Sequence, residues 1–219
     1  MLVLSSIQES LKSISSYIHR TPLIYSNSFS RMFGCEVYLK AENLQKTGSF
    51  KVRGAFNKLI KFKSNKVIAA SMGNHAQGVA FAAQTLGLRA KIVMPVTASI
   101  VKQEATRGYG AEVILHGENF KEALNYAMSQ KEYAFIHAFD DEDIIAGQGT
   151  IGIEMLDEMK DIDAILVPVG GGGLISGISA AVKNLSPKTE VIGVQSSSAT
   201  SAYESFISKR VIEIPPQPT

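Results

Sequence analysis

The sequence predicts an α/β fold in which a parallel sheet is covered by helices. Two observations carry that expectation. From residue 67 to residue 208, short apolar runs alternate with segments patterned for helices, the order that feeds parallel strands through helical crossovers. Glycine-rich turns at 71–78 and 170–173 fall where strand pattern gives way to helix pattern, and such junctions present backbone N–H groups to anions.

Taken in order, Ser6-Ile7-Gln8-Glu9 has the spacing of a capping box, and Ile7, Leu11, Ile14 and Ile18 continue an apolar stripe at helical spacing. Thr21-Pro22 is expected to end that helix, since proline restricts the residue before it and lacks a donor. Residues 37–44 read as a strand leading into Thr47-Gly48-Ser49-Phe50-Lys51-Val52-Arg53-Gly54, a turn followed by a helix. Residues 67–71 form a strand, and Ala76, Val79, Ala80, Ala83 and Leu86 mark a helix ended by Gly87. Strand 90–96, helix 99–107, a turn at 108–110, strand 111–115, helix 118–130 and strand 134–139 follow. Asp140-Asp141-Glu142-Asp143 read as the solvated first turn of a helix, complementing its dipole. That helix extends to about Met159, with Gly147-Gln148-Gly149-Thr150 as an interruption where another backbone approaches closely. Strand 164–169, the four glycines, a helix from Leu174, strand 190–195 and helix 201–208 complete the pattern, before Pro215, Pro216 and Pro218.

Composition sets the outer bounds. With 219 residues, 45% hydrophobic and 19% charged, the chain is long enough for a substantial core. A net charge of +2 gives no reason to expect nucleic acid or an anionic membrane as partner. Cys35 is the single cysteine, which excludes an internal disulfide framework and fits a reducing compartment. No apolar run matches a bilayer and no basic-then-apolar leader opens the sequence, so a cytoplasmic location is the default.

Three stretches carry candidate chemistry. Lys51 stands at the first turn of a helix, near unpaired N–H groups and a second cation, Arg53. Desolvation and neighbouring positive charge both favour the neutral amine, the form that attacks a carbonyl. From this stretch alone a surface lysine is the stronger reading, and the other two stretches reverse that preference. Gly170-Gly171-Gly172-Gly173 joins an apolar strand to a helix. A phosphate cradle and a tight connection requiring positive φ both fit. No Gly-Lys-Ser/Thr follows, which excludes a P-loop, and Gln195 stands where a dinucleotide site wants an acid. In Ser71-Met72-Gly73-Asn74-His75-Ala76-Gln77-Gly78, Asn74 offers an amide that can donate and accept and the turn amides suit a carboxylate, whereas His75 reads as structural. His19, His116 and His137 show no metal-ligand pattern, and no metal site is expected.

In this order, 47–55, 71–78 and the tetraglycine resemble the pyridoxal-phosphate enzymes of the tryptophan-synthase β fold type, and most closely the threonine dehydratases (threonine ammonia-lyases), with serine dehydratase and serine racemase as near relatives. The resemblance covers essentially the whole chain. Cysteine synthases differ in the asparagine loop, and threonine synthases typically carry an acid where this chain has Val52. It implies two open, parallel-rich sheets wrapped by helices. A large domain (1–43 and 142–219) would hold the cofactor phosphate, and a small domain (44–141) the substrate. It implies pyridoxal 5′-phosphate bound to Lys51 as a Schiff base, flanked by Phe50, hydrogen-bonded by Asn74 and held through its phosphate by Gly170, Gly171, Gly172 and Gly173. Ser71, Gly73, Asn74 and His75 would receive the substrate carboxylate. The implied reaction is deamination of L-threonine, and of L-serine, to a 2-oxo acid and ammonia, in isoleucine biosynthesis or threonine catabolism. A homo-oligomer is implied, with a small amino acid as the only other partner.

Met72 departs from the racemases, which carry a serine there on the face opposite the lysine; methionine cannot return a proton. Gln195, Ala199 and Ser201 stand where serine racemases ligate a divalent cation, and without carboxylates such binding should be weak or absent. By the resemblance, the residue facing the pyridine nitrogen and further strands of the large domain lie beyond Thr219. An N-terminal fragment is therefore expected, with an apolar sheet edge open to oligomerisation, disorder or pairing. The alternatives are a serine racemase and a truncated, non-catalytic domain for folding or assembly.

Overall fold

A computed structural model describes residues 2–212 and 214; Pro215, Pro216 and Pro218 lie outside the described residues. Helix α1 (Leu4–Ile14) buries Ile7, Ser10 and Ile14. The expected capping box does not form. The helix is already under way at Leu4, no side chain caps it, and the Ser6 N–H donates to Val3 O. Nor does the helix reach Thr21-Pro22. It stops at Ile14, where Ser15 Oγ bonds back to Lys12 O at 3.0 Å, a side-chain competitor for the backbone.

Strand β1 (Leu23–Tyr25), helix α2 (Asn27–Phe33) and strand β2 (Tyr38–Lys40) form a small antiparallel unit in which Ile24 faces Leu39. The strand expected over 37–44 is therefore only three residues long. It gives way to a 3₁₀ turn, Glu42–Leu44, because Glu42 turns inward toward a buried charge described below.

Helix α3 (Lys51–Ile60) precedes the βα repeat. Strands β3 (Lys66–Ala70), β4 (Arg89–Met94), β5 (Glu112–Leu115) and β6 (Ala134–Phe135) form one parallel sheet in the order β5-β4-β3-β6. Helices α4 (Asn74–Thr85), α5 (Ile100–Gly108) and α6 (Phe120–Ser129) make the crossovers. Val67, Ile68, Ala69, Ile92, Val93 and Met94 are fully buried, as strands covered on both faces require.

Helix α7 (Glu142–Glu158) is followed by β7 (Ala164–Pro168), α8 (Gly173–Leu185), β8 (Glu190–Val194) and α9 (Ser201–Ser208). β7 and β8 pair as a second parallel sheet, where Leu166, Ile192 and Val194 remain exposed. Among the described residues no helix is long and apolar enough to cross a membrane.

The glycines of 147–150 do not interrupt α7, which is continuous through them. They are the expected close approach, and it has two partners. A Cβ built on Gly147 would lie 2.6 Å from Gly54 Cα on α3, and one on Gly149 would lie 2.8 Å from Gly177 O on α8. Asp141 caps α7 by accepting from the Asp143 and Ile144 N–H groups, and pairs with Lys58 at 2.7 Å. The acidic run is thus partly a cap tied to α3 rather than a purely solvated face.

Arg53 is fully buried. Its Nε and Nη2 donate to Glu42 at 2.9 and 2.8 Å, and its Nη1 and Nη2 to Glu154 at 2.7 and 2.9 Å. Nη1 also reaches Thr150 Oγ1, and Lys40 Nζ approaches Glu154 at 2.9 Å. This cluster joins α3, α7, β2 and the 3₁₀ turn.

Two outcomes follow for urea unfolding. Gly147→Ala meets backbone rather than a flexible side chain, and is expected to cost about 1–3 kcal/mol. Glu154→Gln leaves Arg53 and Lys40 short of a buried counter-charge and should cost about 3–5 kcal/mol. Midpoints unchanged from the parent would contradict both.

Candidate active site

Lys51 opens α3 behind the turn at Gly48, whose φ of 69° is a left-handed value that suits glycine. α4 crosses so near that a Cβ on Gly78 would lie 3.2 Å from the Lys51 carbonyl carbon. The Lys51 Nζ donates to Ala138 O at 2.7 Å and sits 5.4 Å from the centre of the Phe50 ring. Burial lowers its pKa from the ordinary value. The second cation expected to assist, Arg53, takes no part. Its guanidinium is matched by Glu42 and Glu154, and desolvation alone depresses the Lys51 amine.

The tetraglycine connects β7 to α8, with Gly172 at φ 89°. Among the described residues none accepts a hydrogen bond from the N–H groups of Gly170, Gly171, Gly172, Gly173 or Leu174. A Cβ on Gly171 would fall 2.3 Å from the Phe139 ring and one on Gly173 2.8 Å from Phe139 O, whereas Gly170 and Gly172 face open space. Lys51, Phe50, Phe139 and all four glycines line one cavity of about 330 Å³, with Gln195 and Ser196 at its side. An amine at one side and unpartnered amides at another suit a ligand carrying a carbonyl and an anion.

The asparagine turn stands apart from that lining. Ser71 Oγ accepts from the Gly73 N–H at 3.2 Å, and Asn74, first residue of α4, is exposed with no side-chain hydrogen bond among the described residues. His75 is buried, as its structural reading requires, and its Nε2 donates to Ile136 O at 3.1 Å. Its Nδ1 is buried without a partner among the described residues. Burial first, then the charge of Lys51, pushes the His75 ring down to about 3.

The segment 136–140 escaped the sequence reading, which ran a strand through it. β6 ends at Phe135. Beyond it, Ile136 O accepts from His75 Nε2, and His137 Nδ1 accepts from the N–H groups of Phe139 and Asp140 at 3.3 and 2.7 Å. Ala138 O holds Lys51, and Phe139 walls the glycine turn. A short apolar run gave 134–139 a strand pattern, and the polar His137 just before the acidic run was the contrary signal.

Because His75 stays neutral in the fold, its ring disfavours the acidic state. The unfolded chain takes up a proton below about 6.5 and the folded chain only near 3. This stability is complete above pH 6.5 and is lost as pH falls toward 3, by at most about 1.4 kcal/mol per pH unit. His75→Gln should therefore show a shallower fall in urea midpoint between pH 7 and pH 5 than the parent. Parallel falls would assign the acid sensitivity to other groups.

Comparison with known proteins identifies the family. L-threonine ammonia-lyase of Thermotoga maritima is 47% identical over 226 residues, covering 100% of this chain and 56% of the relative. The catabolic L-threonine dehydratase TdcB of Staphylococcus aureus is 48% identical over 218 residues, covering 96% of this chain and 63% of the relative. The chain thus spans 56% and 63% of these relatives' length, less than two thirds of each. Among solved structures, threonine deaminase isoform 2 of Solanum lycopersicum aligns with a TM-score of 0.90 at 40% identity, over 94% of this chain and 59% of that one. Maize serine racemase aligns with a TM-score of 0.94 at 34% identity, over 97% of this chain and 67% of that one. Residues 14–219 match the family described as pyridoxal-phosphate dependent enzyme, and the chain belongs to that family.

Proposed function

We propose that this chain is the lysine-bearing part of a threonine ammonia-lyase, which eliminates water from L-threonine or L-serine and releases ammonia and a 2-oxo acid. The observation that carries this reading is that one cavity is lined both by Lys51 and by tetraglycine amides without acceptors among the described residues. The residues fit pyridoxal phosphate. A half-buried amine suits an aldehyde, a turn of bare N–H groups suits a phosphate, and about 330 Å³ is within the range of small-ligand sites. Lys51 would hold the group covalently, Gly170 to Gly173 its phosphate, and Phe50 one ring face, with Asn74 at the ring oxygen. When bound, pyridoxal phosphate supplies a carbonyl for the substrate amine and an electron sink that acidifies the substrate Cα–H.

The chain's own groups do the rest. Lys51, with its pKa lowered by burial, has a larger neutral fraction, and Nζ is the atom that takes the Cα proton. The Ala138 carbonyl fixes where that nitrogen stands. Ser71, Gly73, Asn74 and His75 would receive the substrate carboxylate, His75 through its backbone N–H alone, and Phe50 and Phe139 would keep water from the amine. Likeness to the maize serine racemase favours racemisation as a second reading. Met72, half-buried against the core, offers no exchangeable proton and weighs against it. The division into a small domain over 44–141 and a large one around it, a cytoplasmic site and a homo-oligomer covering Leu166, Ile192 and Val194 belong to the same proposal.

In the full-length protein, the visible absorbance of bound cofactor and ammonia release from L-threonine are expected. Lys51→Ala should abolish the first and lower the second by at least about 10²-fold. Undiminished ammonia release from the Lys51→Ala protein would overturn the assignment.

A further inference from the structure

We propose that His137 is a positioning residue for Lys51, resting on the assignment of Lys51 as the cofactor-bearing amine. Its ring holds the 137–140 turn in the shape that presents the Ala138 carbonyl to Nζ and sets Phe139 against the tetraglycine. His137 Nδ1 accepts from two successive N–H groups, those of Phe139 at 3.3 Å and Asp140 at 2.7 Å. A ring nitrogen that accepts carries no proton, so the imidazole is neutral in this arrangement with its hydrogen on Nε2. Both donors follow Ala138, so the ring closes a loop around that residue and fixes the direction of its carbonyl. That carbonyl accepts from Lys51 Nζ at 2.7 Å.

The ring is itself held edge-on between aromatics, 6.1 Å from Phe135 at 72° and 4.7 Å from Phe139 at 81°. Phe139 then occupies the space beside Gly171 and Gly173 that any Cβ would need. One imidazole thus sets both sides of the cavity. The ends of the segment are secured independently. His75 donates to Ile136 O on one side, and Asp141 caps α7 on the other. Only the middle of the turn depends on His137, so its removal should loosen the amine while leaving the sheet and α7 in place.

The test uses the full-length protein, freed of any bound cofactor. Pyridoxal 5′-phosphate is the probe at limiting concentration, followed by borohydride reduction. The Lys51 amine bonds to the aldehyde carbon with loss of water, borohydride delivers hydride, and peptide mass spectrometry counts the label. His137→Leu is expected to lower labelling at Lys51 about tenfold, with other lysines and the melting temperature little changed. His137→Asn, whose Oδ1 stands where Nδ1 stood, should stay within about twofold of the parent. Equal labelling of the His137→Leu protein overturns the inference while leaving the functional assignment intact. Loss as deep in His137→Asn as in His137→Leu also overturns it, since packing and not hydrogen-bond acceptance would then be the cause. If His137→Leu does not fold, His137→Gln takes its place, its amide one bond too far from the two N–H groups, and must fall well below His137→Asn. Parent protein without label at Lys51 overturns the functional assignment and this inference together.

Discussion

The site depends on a charge decision made within one helical turn. Lys51 and Arg53 stand two residues apart at the start of α3, and both side chains leave bulk water. Arg53 is surrounded by carboxylates. Burial opposes its charge, yet the hydrogen bonds and charges of Glu42 and Glu154 outweigh burial and keep it cationic. Lys51 is given only a neutral carbonyl, that of Ala138, and burial alone acts on it. The same type of charge is thus shifted in opposite directions because one neighbour carries anions and the other does not. A lysine paired with a carboxylate would be held protonated and would make a poor nucleophile.

The geometry between the two sides of the cavity is held by backbone contact. Gly54, three residues after Lys51, meets Gly147 on α7, and two residues along α7, Gly149 meets Gly177 on α8. Gly177 stands four residues after Gly173, where the phosphate-type turn begins its helix. Amine and bare amides are therefore linked through three helices touching at glycines, with no long side chain in between to change rotamer. Glycine inside a helix costs about 1 kcal/mol relative to alanine, and the close packing it permits offsets that cost. The Arg53–Glu154 contact ties α3 to α7 further along the same pair of helices, so charge and backbone agree on one relative placement.

What could be read from the sequence was what is local. The βα alternation gave the parallel sheet, because strand and helix periods differ within a few residues. The Lys51 turn, the asparagine turn and the tetraglycine were each visible as a turn at an element boundary. Lost were features set by partners distant in the chain. The capping spacing at Ser6 was overridden once the helix began at Leu4, and the strand over 37–44 was cut short where Glu42 reached Arg53. Arg53 was read as a charge acting on Lys51, since adjacency in sequence is visible and the carboxylate of Glu154, a hundred residues on, is not. Segment 136–140 looked like strand for the same reason. Its shape comes from bonds to Lys51, His75 and its own histidine ring, none of which leaves a periodic trace.

His75 shows how far such bonds restrict chemistry. Its Nε2 proton is committed to Ile136 O, and its Nδ1 carries a lone pair without a donor. Burial and the Lys51 charge keep the ring from gaining a second proton. A side chain in that state has no hydrogen to offer a carboxylate, and its free lone pair would repel one. An anion at this turn, as the proposed carboxylate site requires, would therefore meet N–H groups at the start of α4, where the helix dipole adds its partial positive charge. The ring contributes by holding Ile136, and through it the segment that sets Lys51. The histidine beside the amine works as a strut, which leaves Lys51, its pKa lowered by burial, as the group proposed to move the proton.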